Sequence, residues 1–168
     1  MSPIKVTPCL RCISSYSPKD KLMSNIFLAK TEPNTFSIDD FEKEKITLWD
    51  GVHNYQAINV IKTWQVGDYV LIYHSVKEKC LVGLAQVIKE PYHNLADTRF
   101  SWAARLKLIY KFQPSERINL ATIKKTNLFQ NFLLVTNSRL SVMPCPDNFV
   151  NWLQDQIPKL QELLSNQI

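Results

Sequence analysis

The sequence predicts an α+β domain wrapped around a small curved sheet or barrel. Two features carry that expectation. Segments with strand alternation are interleaved with segments of helical spacing, and the longest strand segments follow one another in a way that suits antiparallel pairing. The length of 168 residues suits one domain with a sizeable core.

Each element has a local reason. Ile26 to Lys30 reads as a short buried strand, ended by Thr31-Glu32-Pro33-Asn34 because proline cannot donate to a ladder. Ser37 caps a short helix running through Asp40, Phe41 and Glu44, with early acids favouring its N-terminus. Thr47-Leu48-Trp49 leads to a turn at Asp50-Gly51. From Asn54, the residues Tyr55, Ile58, Ile61 and Trp64 share one helical face, and Gly67-Asp68 closes that unit. Tyr69 to Tyr73 is rich in β-formers and reads as a central strand, with Leu81 to Ile88 its antiparallel neighbour. Trp102 to Phe112 alternates: Ala104, Leu106, Leu108 and Tyr110 take one face, while Arg105, Lys107 and Lys111 mostly take the other. Short helices are expected over 118–125 and 127–132, then a last strand over 140–143 stopped by Pro144 and Pro146. Phe149, Trp152, Leu153 and Ile157 suit a C-terminal helix that Pro158 kinks or divides before Leu160 to Leu164.

Composition excludes several classes. Hydrophobic residues make up 45% and charged residues 21%, the balance of an ordinary globular protein, and the longest apolar runs fall far short of a membrane span. The net charge of +5 divides unevenly, since Lys5, Arg11, Lys19 and Lys21 against Asp20 place +3 in residues 1–22 and leave +2 for the rest. The body is therefore mildly basic. It can meet a phosphate backbone locally but lacks the charge to coat duplex nonspecifically. Residues 1–22 show no period and no secretory core, so they read as a disordered or misassigned extension, with Met23 as the start and residues 23–168 as the domain. Cytoplasm is the default location, and the nucleus stays open. Cys9-Leu10-Arg11-Cys12 is a lone pair without the further ligands that zinc needs, and Cys80 and Cys145 read as single reduced thiols. Neither a cofactor nor a metal is implied.

The informative segment is Trp49-Asp50-Gly51-Val52-His53-Asn54-Tyr55-Gln56-Ala57, taken with Tyr73-His74-Ser75. Flat aromatics beside amides and hydroxyls are what a pocket for a planar heterocycle requires. Each residue also has a plainer role: Trp49 as core packing, Asn54 as a helix cap, Tyr55 as a buried ring. His74 and Ser75 are strand neighbours facing opposite ways, so adjacency alone does not make them a nucleophile and base. Trp64 and Trp152 fit helix faces in the core, while Trp102 is undecided.

Ordered along the chain, several motifs resemble the EVE domain of the PUA-like superfamily from about Asn25 to about Leu153. They are Phe27-Leu28-Ala29-Lys30-Thr31-Glu32-Pro33, Ser37-Ile38-Asp39-Asp40, the Trp49 to Ala57 segment, Val66-Gly67-Asp68, Tyr73-His74-Ser75, Val82-Gly83-Leu84-Ala85 and Arg139-Leu140-Ser141-Val142-Met143-Pro144. The resemblance implies a PUA-like mixed β-barrel with flanking short helices. It also implies an aromatic pocket for modified bases, chiefly modified cytosines in DNA such as 5-methylcytosine or 5-hydroxymethylcytosine. Two positions depart from the family's pattern. Thr31 stands where serine is usual, and His53 replaces the usual arginine, removing a fixed charge and a planar fork.

On that basis Trp49 and Tyr73 are assigned as aromatic walls, with Thr31, Glu32, Asn54, Tyr55, Gln56, His74 and Ser141 as edge or backbone contacts. Lys30, His53 and Arg139 are assigned to phosphate. The expected partner is nucleic acid carrying a modified base, DNA favoured over RNA, with no membrane and a monomeric chain. Competing readings are an RNA-binding module, an amidohydrolase of N4-acylcytidine using Lys30, Glu32 and His74, and a protein-interaction domain built on the Trp152 helix.

Overall fold

The structure is a computed structural model that describes residues 24–99 and 101–166. The extension over 1–22, the proposed start at Met23 and the Cys9/Cys12 pair lie outside the described residues. In chain order the strands are β1 (Ile26–Thr31), β2 (Ile46–Trp49), β3 (Tyr69–His74), β4 (Cys80–His93), β5 (Trp102–Lys111) and β6 (Val142–Pro144). The helices are α1 (Ile38–Glu44), α2 (Tyr55–Ile61), α3 (Leu120–Lys125), α4 (Leu133–Thr136), α5 (Asp147–Gln156) and α6 (Pro158–Ser165).

The six strands form one sheet in the order β2-β5-β4-β3-β1-β6. All neighbours are antiparallel except β1 and β3, which run parallel from Ile26↔Tyr69 to Thr31↔His74. A parallel pair needs a crossover, and α1, β2 and α2 supply it. Every residue of β3 is buried, as expected of a central strand covered on both faces.

The expected barrel is not closed. The edges β2 and β6 have four and three residues and do not pair with each other. Instead α2 packs against both β6 and β5, so a helix spans the gap that a further ladder would have filled.

The local expectations mostly match the elements. Ser37 caps α1 in a reciprocal box with Asp40: the Ser37 Oγ accepts the Asp40 N–H at 3.1 Å, and the Asp40 carboxylate accepts the Ser37 N–H at 3.0 Å. Asn54 caps α2 by accepting the Ala57 N–H at 3.0 Å. Strand β4 runs beyond its predicted end to His93, extended by bulges opposite β5. Pro158 begins α6 rather than ending α5's helix outright, a position where its missing N–H costs nothing.

Two expectations are corrected. No helix forms over 127–132: Asn127 adopts φ 56, a left-handed conformation that breaks the run after α3. Phe129 and Phe132 instead turn onto Phe149 of α5, with ring centroids 5.2 and 4.7 Å away, and Phe132 becomes the N-cap residue of α4. Tyr55 is not on the buried face of α2. It sits at the first turn and is 77% exposed, while Ala57, Ile58 and Ile61 are buried. Trp64 is in the core, as its spacing implied, and Trp152 stacks among Phe129 and Phe149.

Gly83 in β4 lies beneath the Ile38 side chain of α1. A Cβ there would lie 2.8 Å from the Ile38 side chain and 3.0 Å from the Tyr110 carbonyl oxygen. Because one obstacle is backbone, Gly83→Ala is expected to lower stability by about 1–3 kcal/mol, read from the denaturant midpoint at unchanged m-value.

Candidate functional site

A basin of about 430 Å³ opens where the end of β1 meets β2 and the turn that follows it. Its walls come from three short stretches: Lys30 to Glu32 with Thr35 and Phe36, Thr47 to His53, and Ser141. Strand pairing fixes the two sides separately, because β1 and β2 are not neighbours in the sheet. The Lys30 N–H donates to the Ser141 carbonyl at 2.7 Å, and β2 is held along β5 with Trp49 opposite Ala104.

Each stretch is fixed locally. Thr31 Oγ1 donates to the Phe36 carbonyl at 2.8 Å, and the Thr35 and Phe36 amides donate back to the Glu32 carbonyl, each at 2.9 Å. This folds 31–36 into a tight loop that puts Phe36 in the wall. The Lys30 ammonium donates to the carbonyls of Asn137 and Ser138 at 3.4 and 3.2 Å, and burial pulls its pKa below the usual lysine value. Gly51 turns the chain after β2 at φ 70 with nothing crowding its α-carbon, so backbone conformation alone calls for glycine there. His53 Nε2 lies 2.8 Å from Asp97 Oδ2 on the β4–β5 connection. The Arg99 amide and then His53 hold the Asp97 carboxyl well below the usual carboxylate range.

Trp49 lines this basin while only 7% exposed, so its ring is held by the core and presents one edge or face outward. The Glu32 side chain is exposed, and no described residue partners its carboxylate. Phe36, Leu48 and Val52 add apolar wall. The arrangement suits a flat, partly polar ligand: a ring surface, a carboxylate acceptor, a serine hydroxyl and apolar sides.

Six of the residues assigned from sequence meet here: Lys30, Thr31, Glu32, Trp49, His53 and Ser141. The other six are elsewhere. Tyr73 is 3% exposed in β3, and burial pushes its phenol up to about 12, so it is a core ring and not a basin wall. His74 is 2% exposed; its Nε2 accepts the Ile38 N–H at 3.0 Å, which assigns the ring proton to Nδ1, 2.9 Å from Glu78. Its role is to fasten the start of α1 to β3, and it is not brought together with Lys30 and Glu32. Asn54 is spent on its cap, Tyr55 and Gln56 point to solvent from α2, and Arg139 is exposed outside the basin walls. The sequence reading missed Asp97, Thr35, Phe36, Thr47 and Leu48. Nothing local flags Asp97, which lies 44 residues from His53. Thr47 and Leu48 carried a signal in their position directly before Trp49. Among the described residues no group of three His, Cys, Asp or Glu is placed to hold a metal, and no helix is long and apolar enough to cross a membrane.

Comparison with known proteins points one way. A sequence model of the EVE domain matches residues 25–156. Thymocyte nuclear protein 1 of Rattus norvegicus is 38% identical over 43% of this chain and 37% of that protein, so the matched stretch spans well under half of the relative's length. A hypothetical protein of Leishmania major superimposes with TM-score 0.72 at 30% identity, covering 82% of this chain and 97% of that one. Human THYN1 in complex with DNA containing 5-methylcytosine superimposes with TM-score 0.69 at 25% identity, covering 80% and 98%.

The hydrogen bond from His74 holds the Glu78 carboxyl below its ordinary value. A depressed folded pKa gives stability that is present above the unfolded value and lost as pH falls through the folded one. Glu78→Gln is therefore expected to be less stable than the native chain at pH 6–7, with the difference closing below about pH 4; thermal melts across that range check it.

Proposed function

The chain belongs to the EVE domain family, and from that premise we propose that its basin receives a modified nucleobase, foremost a modified cytosine in DNA, and binds it without catalysing a reaction. The observation that carries this reading is that the nearly buried Trp49 ring and the unpartnered Glu32 carboxylate line the same open basin.

A base entering the basin stacks on Trp49, an interaction worth about 1–3 kcal/mol per base. A carboxylate accepts from the exocyclic amine of cytosine, which is the contact assigned to Glu32. The Ser141 hydroxyl can donate or accept at the remaining edge. A 5-methyl group needs apolar contact, available from Phe36, Leu48 and Val52. The Thr31 hydroxyl is already given to Phe36, so Thr31 shapes the wall and leaves the base edge to its neighbours. To reach the basin the base must leave its stack, at a cost of a few kcal/mol that stacking and edge hydrogen bonds offset. The human relative crystallised with 5-methylcytosine DNA supports DNA as the first partner to test. The name of the rat relative makes the nucleus the proposed site of action in a eukaryotic cell.

Titration of matched oligonucleotides carrying cytosine, 5-methylcytosine or 5-hydroxymethylcytosine, as DNA and as RNA, tests the reading. A preference for one modified DNA is expected. Equal binding of all of them, or turnover of the base, would overturn it. Glu32→Ala touches no core contact and is expected to weaken the preferred oligonucleotide about tenfold, the loss of one good edge contact. Trp49→Ala is expected to cost more, and circular dichroism must show that this variant stays folded.

A further inference from the structure

We propose that the outward face of β4, β5 and β2 is the track on which the nucleic-acid backbone lies, with Lys89, Arg105 and Lys107 taking its phosphates; this rests on the nucleobase reading of the adjoining basin. Arg105 and Lys107 are alternate residues of β5 and project from the same side of the sheet. Both are exposed, as is Lys89. The register sets Lys89 directly opposite Arg105 across the β4–β5 ladder. Like charges at opposed positions of an antiparallel pair destabilise the sheet, and no described acid offsets these three. Lys111 on the same strand is held by Asp39 and Glu42, and Arg117 is held by Glu78. A fold that neutralises Lys111 and leaves its strand neighbours bare has an unmet positive surface.

The other flank repeats the pattern. Opposite Arg105 and Lys107 on β2 stand Leu48 and Ile46, which are 39% and 44% exposed, where acids would have quenched the charge. Gln86, opposite Lys107 on β4, gives its amide to the Gly67 carbonyl. Glu90, next to Lys89, and Glu44 and Asp50, which flank β2, pair with none of the three cations. The Lys89 ammonium rests over the Tyr92 ring, 5.4 Å from its centroid.

Position links this face to the basin. Leu48 belongs to the face and also lines the basin, so a backbone seated on Arg105 lies one side chain from the opening. Of the residues assigned to phosphate from sequence, two are committed elsewhere, the Lys30 ammonium to two carbonyls and the His53 ring to Asp97, while Arg139 is exposed outside the basin walls. Cations at two alternate positions of β5 and one opposed position of β4 suit the regularly spaced charge of a nucleic-acid backbone.

The test is a salt series. Binding of the full chain to one duplex sequence, with cytosine or 5-methylcytosine at the same position, is measured for the native protein, Arg105→Gln/Lys107→Gln, and a control, Lys124→Gln/Lys125→Gln on α3. Each phosphate contact contributes about 0.9 to the slope of log K against log salt on duplex DNA. The β5 variant is expected to flatten that slope by about 2 while keeping the ratio of affinities for the two duplexes. The control is expected to leave the slope in place. An unchanged slope in the β5 variant, or an equal change in the control, would overturn the track. A native protein that binds both duplexes equally, with a slope that the β5 variant still flattens, would instead overturn the base reading and leave the track standing.

Discussion

Running β1 and β3 in parallel obliges the chain to leave the sheet between them, and the basin is made from what it does outside. After Thr31 the chain folds back through Phe36, enters α1 and returns along the far edge as β2. The crossover is tied down where the two parallel strands end. There Thr31 lies beside His74, and His74 accepts the first amide of α1. A buried hydrogen bond of this kind contributes about 1 kcal/mol. Its larger effect is geometric, because it sets where α1 begins and hence where the 32–37 loop can sit. The adjoining turn includes Val76 at φ 74, an unfavourable conformation for a β-branched residue. The Glu78 carboxylate, shared between His74 and Arg117, fastens that turn.

The basin itself is assembled from groups whose polar atoms are largely spent on one another. Lys30 holds the 137–138 carbonyls, Thr31 holds Phe36, and His53 faces Asp97. What remains unspent within the walls is informative: the carboxylates of Glu32 and Asp50, the hydroxyls of Ser141, Thr35 and Thr47, and the Trp49 ring. Side chains that the fold has already satisfied serve as scaffold, and the ones left over are those available to a ligand. The same distinction separates Lys111, quenched by α1, from Arg105 and Lys107 further along its strand.

Much of the fold was legible because its signals are short-range. Ser37 and Asn54 declare their helices through caps that reach only three residues ahead. The alternation of β5 and the continuous apolar run of β3 reflect burial on one face and on two. The helix expected over 127–132 failed for a long-range reason. Its apolar residues satisfy helical spacing, yet Phe129 and Phe132 gain more by closing on Phe149 of α5. In the site, Trp49, Glu32 and Lys30 were legible as members of motifs. Tyr73 and His74 were misplaced because a strand sequence reports which residues alternate and not which side of a sheet faces a cavity.

The sequence by itself determined the strands, the capped helices, the Asp50-Gly51 turn and the family, because each rests on neighbours within a few positions or on ordered motifs. The tertiary structure alone decided that the sheet stays open with α2 across its gap, that Asp97 fastens His53, and that Tyr73 and His74 belong to the core. Those outcomes depend on which distant surfaces exclude water from one another, and hydrophobic burial carries no directional mark in the local sequence.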